Sequence, residues 1–98
     1  MTIVEIAQFK LKPGADEAAF VAAEHVIAKG IILQQPGFIS REMTKGANGQ
    51  WVVIMHWDSV AAADAWGPKL MQDPGAPAFV SQLDFSSMHK DYYERVTT

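Results

Sequence analysis

A carboxylate stands inside the apolar run that opens this chain: Glu5, flanked by Ile3-Val4 and Ile6-Ala7 within Thr2 to Lys12. A carboxyl group among apolar neighbours loses solvation of its charged form, so its pKa rises. It then becomes a candidate general base, or a partner for a ligand's donor. The plainer alternatives are a partly exposed strand end or an ion pair with a Lys or Arg across a sheet. His56, near the end of a second apolar run from Gln50 to Trp57, is the other group placed to move a proton. On one face, Glu5 and His56 would form an oriented acid–base pair suited to proton abstraction. Counting odd residues inward on both runs puts His56 on the opposite face, and strand register decides between the two.

The remaining candidates are weaker. His89 shares strand parity with Phe85 and Tyr93, which places it either in a pocket or in a hydrogen bond at a strand edge. His25 adjoins Glu24 on a helix and reads as a solvated surface residue. Three histidines at these spacings make no metal-ligand pattern, and without cysteine there is neither a thiolate nucleophile nor a Cys-based zinc site. No phosphate loop, nucleophile elbow or dinucleotide fingerprint is present. Of the three tryptophans, Trp51 and Trp57 read as core or interface packing. Trp66 is the one expected to reach a cavity, because Gly67-Pro68 behind it should open the helix packing. Phe9 and Ala7 share the Glu5 strand and would line the same space.

The elements that position these residues follow from periodicity. Alternation predicts strands over Thr2 to Lys12, Phe38 to Lys45, Gln50 to Trp57 and Phe85 to Val96. Asn48-Gly49 joins the middle two, since both residues tolerate the positive φ of a type I′ turn. After Pro13-Gly14, Asp16 should cap a helix whose inner stripe is Phe20, Ala23, Ile27 and Ile31, with Glu17, Glu24 and Lys29 off it. Gly30 in its last turn suggests close approach of helix to sheet, and Gln35-Pro36-Gly37 stops it. Asp58 or Ser59 should cap a second helix from Val60 to Trp66, ended or kinked at Gly67-Pro68 and resumed over Lys69 to Asp73. Pro77 to Leu83 predicts a short third helix.

The order strand, helix, strand, strand, helix, strand predicts an α+β fold, the ferredoxin-like split βαβ plait. Residues 1–98 are expected to form one such domain, an antiparallel sheet with helices on one face and the third strand beside and parallel to the first. Hydrophobic residues make up 49% of the 98 and charged residues only 19%, a low share of charge for so small a domain. The uncovered sheet face, with Val4, Ile6 and the neighbourhood of Ile39, needs a lid, and a second copy of the chain would supply one. A homodimer through the sheet face is the expected partnership. The net charge of −3 and scattered Lys and Arg argue against a nucleic-acid binder. No run nears the length of a bilayer span, and the N-terminus carries no basic-then-apolar signal, so a soluble, cytoplasmic protein is expected.

Three stretches carry a family resemblance: Ile6-Ala7-Gln8-Phe9-Lys10-Leu11-Lys12-Pro13-Gly14, Gln35-Pro36-Gly37-Phe38, and Trp51-Val52-Val53 through His56-Trp57-Asp58-Ser59 into an Ala-rich helix. Together they resemble the dimeric α+β barrel superfamily over Val4 to Tyr93. The pattern is most similar to antibiotic biosynthesis monooxygenase domains, with stress-responsive A/B barrel domains next. The resemblance implies a tryptophan on the second helix facing a pocket, and Trp66 matches it. It also implies an asparagine on an early strand. The slot falls at or beside Ala7, while the only asparagine, Asn48, belongs to a turn. Haem-degrading relatives need a histidine where this chain has Ala76, which argues against that activity.

Two functions follow from the resemblance and the residues together. One is a small cofactor-independent enzyme, a monooxygenase or isomerase, acting on a flat, mostly apolar molecule in a pocket between helices and sheet. Glu5 or His56 would handle a proton, Trp66 would stack on substrate, and the substrate anion itself would reduce oxygen. The other is a dimeric module that binds a small ligand without turnover or plays a structural or stress-related part. A cavity lined by Glu5 and Trp66 favours the first; one plugged by Phe9, Phe79 or Met71 favours the second.

Overall fold

The computed structural model describes residues 1–96. Four strands, β1 (Ile3–Leu11), β2 (Phe38–Lys45), β3 (Gln50–Trp57) and β4 (Leu83–Glu94), form one sheet in the order β2-β3-β1-β4. Three helices, α1 (Glu17–Gly30), α2 (Val60–Gln72) and α3 (Ala76–Val80), cover one of its faces. This is the ferredoxin-like α+β plait. All three strand pairings are antiparallel, so the expectation of parallel β1 and β3 is corrected. The α1 crossover returns the chain so that β2 runs in the same direction as β1, and the β2–β3 hairpin then reverses it, leaving β1 and β3 in opposite directions.

Local chemistry accounts for the boundaries. Asp16 accepts the Ala19 N–H at 3.2 Å and caps α1; Ser59, rather than Asp58, accepts the Ala62 N–H at 3.1 Å and caps α2. Asn48 and Gly49 both adopt positive φ, 62° and 74°, as the hairpin requires. Gly37, at φ 82°, is demanded by space as well as conformation: a Cβ there would lie 2.3 Å from Asp58 Oδ1 and 2.7 Å from Ala62 Cβ. Gly30 is different. Nothing lies within 4 Å of a Cβ built on it, so the predicted close approach to the sheet is absent.

Helix α2 runs unbroken through Pro68 to Gln72, against the predicted break. Pro68 removes one intrahelical bond, but Asp64, whose carbonyl loses its partner, lies on the exposed side where water can replace it. The third helix is shorter than predicted and the last strand begins two residues earlier, at Leu83.

The core lies between helices and sheet. Ile3, Phe9, Trp51, Val53, Met55 and Trp57 from β1 and β3 meet Phe20 and Ile27 of α1, Ala63 and Leu70 of α2, and Phe79 of α3. Phe20 is the hub. It packs edge-on to Phe9 and Trp51 and stacks on Phe79, with centroids 5.3 Å apart. The opposite face carries Val4 and Ile6 from β1 beside Val52 and Ile54 from β3, flanked by exposed Tyr93. Among the described residues, no helix is long and apolar enough to cross a membrane.

Candidate active site

Strand register builds the site one row at a time. Tyr92 of β4, Glu5 of β1, Met55 of β3 and Arg41 of β2 stand side by side across the sheet. Glu5 is fully buried. Its Oε1 accepts two indole N–H groups, from Trp57 on β3 and Trp66 on α2, each at 3.1 Å. The two indoles lie nearly parallel, 12° apart, with centroids separated by 6.5 Å. The other oxygen, Oε2, is buried without a hydrogen-bond partner.

Burial raises the Glu5 pKa above the ordinary glutamate value. The Trp66 hydrogen bond, the charge of Lys90 and the Trp57 hydrogen bond oppose that rise, and Asp64 adds to it. Desolvation wins because two neutral donors stabilise a carboxylate less than the water it has lost. Beside Glu5, the Tyr92 hydroxyl donates to Asp64 Oδ1 at 2.7 Å. Burial, that bond and the charges of Glu5 and Asp64 push the phenol pKa upward, so Tyr92 stays protonated.

Glu5 lines a cavity of about 250 Å³ between the sheet and α2–α3. Ala7, Phe9, Val53 and Met55 form its floor; Trp66, Gly67, Leu70 and Met71 of α2 and Phe79 and Val80 of α3 form its roof; Phe85, Met88 and Lys90 of β4 close one side. Gly67 borders this space as a position without a side chain, not as a helix break. Arg41 reaches the same cavity, paired with buried Glu24 of α1. Burial lowers the Arg41 pKa, while the charge of Glu24 and its hydrogen bond, and then the charge of Glu5, oppose the fall. Two further hollows are more open surface grooves, one of about 460 Å³ bordered by Glu24, Arg41 and Trp51, the other of about 370 Å³ around Pro36 and Pro74.

The structure thus brings Glu5, Ala7, Phe9 and Trp66 together and leaves two residues outside. His56 pairs with Val4, not Glu5, and sits on the far face, where its Nδ1 meets Ser40 Oγ at 3.0 Å. An acid–base pair of Glu5 and His56 is therefore ruled out by register. His89 pairs with Gln8 on that same far face. Its parity with Phe85 fails because β4 bulges: between Lys10 and Gln8 of β1, two steps, β4 advances five, from Asp84 to His89. Phe85 faces the cavity before the bulge, and Met88 and Lys90 face it after. The side chains of Asp84 and Ser86 and the Ser87 hydroxyl fix that irregularity, the last accepting the Lys10 N–H at 2.8 Å.

Sequence reasoning passed over Arg41, Lys90, Trp57 as a donor, and Glu24. Glu24 is buried on the α1 inner face, so its placement off the stripe is corrected. It follows Phe20 by four residues and precedes Ile27 by three, spacing that already put it there. His25 is solvated as expected, its side chain 69% exposed. Among the described residues, no cluster of His, Asp or Glu could hold a metal ion.

Residues 2–67 match the family model for antibiotic biosynthesis monooxygenase. Among solved structures, SnoaB from Streptomyces nogalater, described as a cofactor-independent oxygenase, superposes with a TM-score of 0.72 at 16% identity, covering 99% of this chain and 95% of that one. Rv0793 from Mycobacterium tuberculosis gives 0.73 at 18% identity, covering 100% and 98%. A conserved protein from Methanosarcina mazei Go1 gives 0.73 at 14%, covering 98% and 94%. At these identities the likeness is one of fold. No curated protein sequence matches the chain significantly.

Proposed function

The chain belongs to the antibiotic biosynthesis monooxygenase family, and from that premise we propose that it is a cofactor-independent oxygenase of a small, flat, mostly apolar substrate, with Glu5 as the group that handles the proton. One observation carries this reading. A fully buried carboxylate, with one oxygen held by two indoles and the other unpaired, lines an otherwise largely apolar cavity. Such a group is oriented, basic for a carboxylate, and free at one atom to take a proton.

For an activated methylene substrate the chemistry balances without a further reductant. Glu5 takes one C–H proton, and the resulting carbanion gives an electron to O2. The two radicals combine into a peroxide on that carbon, and Glu5 returns its proton to the peroxide oxygen. Loss of the second C–H proton with O–O cleavage then yields the ketone and water. The apolar walls exclude bulk water from the carbanion, and the Trp66 indole, stacked on Trp57 on one side, offers the substrate a flat neighbour.

Oxygen uptake with anthrone and naphthohydroquinone substrates tests the proposal. The Glu5→Gln variant keeps an acceptor for the two indoles but cannot take a proton, so turnover should fall by about 10²–10⁴-fold. Unchanged uptake would remove Glu5 from the chemistry. Tight binding of the same compounds without uptake would support a non-catalytic binding protein instead.

The open sheet face supports a further proposal, a homodimer. Val4, Ile6, Val52 and Ile54 form an apolar band there, and Ile39 and Tyr93 are each 52% exposed. Covering several hundred Å² of such surface, at about 25 cal/mol per Å², contributes several kcal/mol toward association.

A further inference from the structure

We propose that the groove between α1 and β2 is a second binding site, taking a carboxylate on a small apolar body, with Arg41 and Lys45 holding the carboxylate. The site lies outside the Glu5 cavity and does not depend on the oxygenase reading. Three observations converge. At about 460 Å³ the groove falls within the usual range for small-molecule sites. Its ionisable lining is Arg41, Lys45, Glu24 and His25, two fixed cations against one carboxylate on a chain whose net charge is −3. The Arg41 side chain is only 9% exposed, yet its Nε–H is buried without a partner among the described residues.

A buried unsatisfied donor costs stability wherever nothing meets it. The guanidinium carries its N–H donors in a planar fork, and among the described residues the one side chain it meets is Glu24, through a single terminal nitrogen. That bond balances the Arg41 charge and leaves most of the fork for a second planar acceptor. A carboxylate matches the fork with two parallel bonds. Lys45 supplies the other cation. Its ammonium lies 5.9 Å from the centre of the Trp51 ring and pairs with Glu17. Both members of that pair are half exposed, so an incoming carboxylate displaces Glu17 at little cost. Val21, Ala28 and Met43, with half-exposed Leu33 as a lip, give the rest of the ligand an apolar wall. A neutral ligand would meet that wall but leave the fork unfilled, and an inorganic anion would do the reverse. An aryl or short-chain carboxylic acid satisfies both.

Proton–nitrogen NMR correlation spectra of the full chain, titrated with 4-phenylbutyrate, test this directly, because Trp51 lines the groove and Trp66 the cavity. The Trp51 indole and the Lys45 amide should move most, saturating in the millimolar range or below. The neutral 4-phenylbutyramide should bind at least about fivefold more weakly. Lys45→Met should weaken phenylbutyrate binding several-fold, and Ala28→Phe, which fills the groove, should abolish it. The double variant Glu24→Gln, Arg41→Met, which removes both members of the buried pair so that neither charge is orphaned, should weaken it by about tenfold or more. Largest shifts at Trp66, no saturable shift, equal affinity for the amide, or binding unchanged in these variants would each overturn the inference.

Discussion

Trp66 donates its indole N–H to Glu5 across 61 residues of sequence, tying the middle of α2 to the middle of the sheet at the one oxygen that Trp57 also holds. That bond stabilises the ionised carboxylate, so removing it leaves desolvation less opposed. Trp66→Phe should therefore raise the Glu5 pKa further and move the acid limb of the rate profile to higher pH. Trp57→Phe should shift it the same way by less, its bond being the weaker influence. The pH dependence of oxygen uptake measures both.

Glu5 also leaves a mark on stability. Its folded pKa lies above the ordinary 4.5. Below 4.5 folded and unfolded chains both hold the proton; above it the unfolded chain releases it first. Wild-type stability should then decline as pH rises from about 4.5 to the folded pKa, by about 1.4 kcal/mol for each unit between the two values. Glu5→Gln cannot ionise in either state. Urea unfolding across pH should show the wild type losing ground to the variant over that window.

The Glu24–Arg41 pair joins α1 to β2 inside the protein, with both side chains at least nine-tenths buried. Arg41→Met alone strands a buried carboxylate and should cost about 3–5 kcal/mol. Pairing it with Glu24→Gln should recover most of that loss, because a neutral amide is cheaper to bury. Chemical denaturation of the three variants measures the coupling.

Two glycines should respond oppositely to alanine. Gly37→Ala forces a Cβ against Asp58 and Ala62 at positive φ and should destabilise by more than about 1 kcal/mol. Gly30→Ala, in open space at the end of α1, should stabilise by up to about 1 kcal/mol. Thermal melts separate them.

Sedimentation at micromolar concentration should give twice the chain mass. Ile54→Glu, placing a charge in the apolar band of the open face, should shift the population to monomer while preserving the circular dichroism spectrum. A monomeric wild type would remove the dimer proposal.

Much of this architecture is written in short-range signals. The bounds of β2 and β3, the Asp16 cap, and the left-handed Asn48-Gly49 turn follow from residues acting on their immediate neighbours. The alternation Glu5–Ala7–Phe9 likewise placed three cavity residues on one face. What stayed hidden depends on how strands align. His56 and Glu5 could be separated only by knowing that Glu5 stands opposite Met55. Lys90 replaced His89 because Asp84, Ser86 and Ser87 break the alternation of β4, and a bulge has no signature as plain as a turn. Arg41 and Glu24 lie 17 residues apart on different elements; each looks like surface until the other is brought to it.

The interruption in β4 also protects the molecule. This strand is an outer one, 12 residues long, and a flat outer strand of that length would offer a continuous row of free amides and carbonyls to any passing chain. Here the row is broken near Ser87, and beyond it the strand carries Lys90, Asp91 and Glu94. Stray strands therefore find only a short, charged template on that side, which disfavours edge-to-edge aggregation.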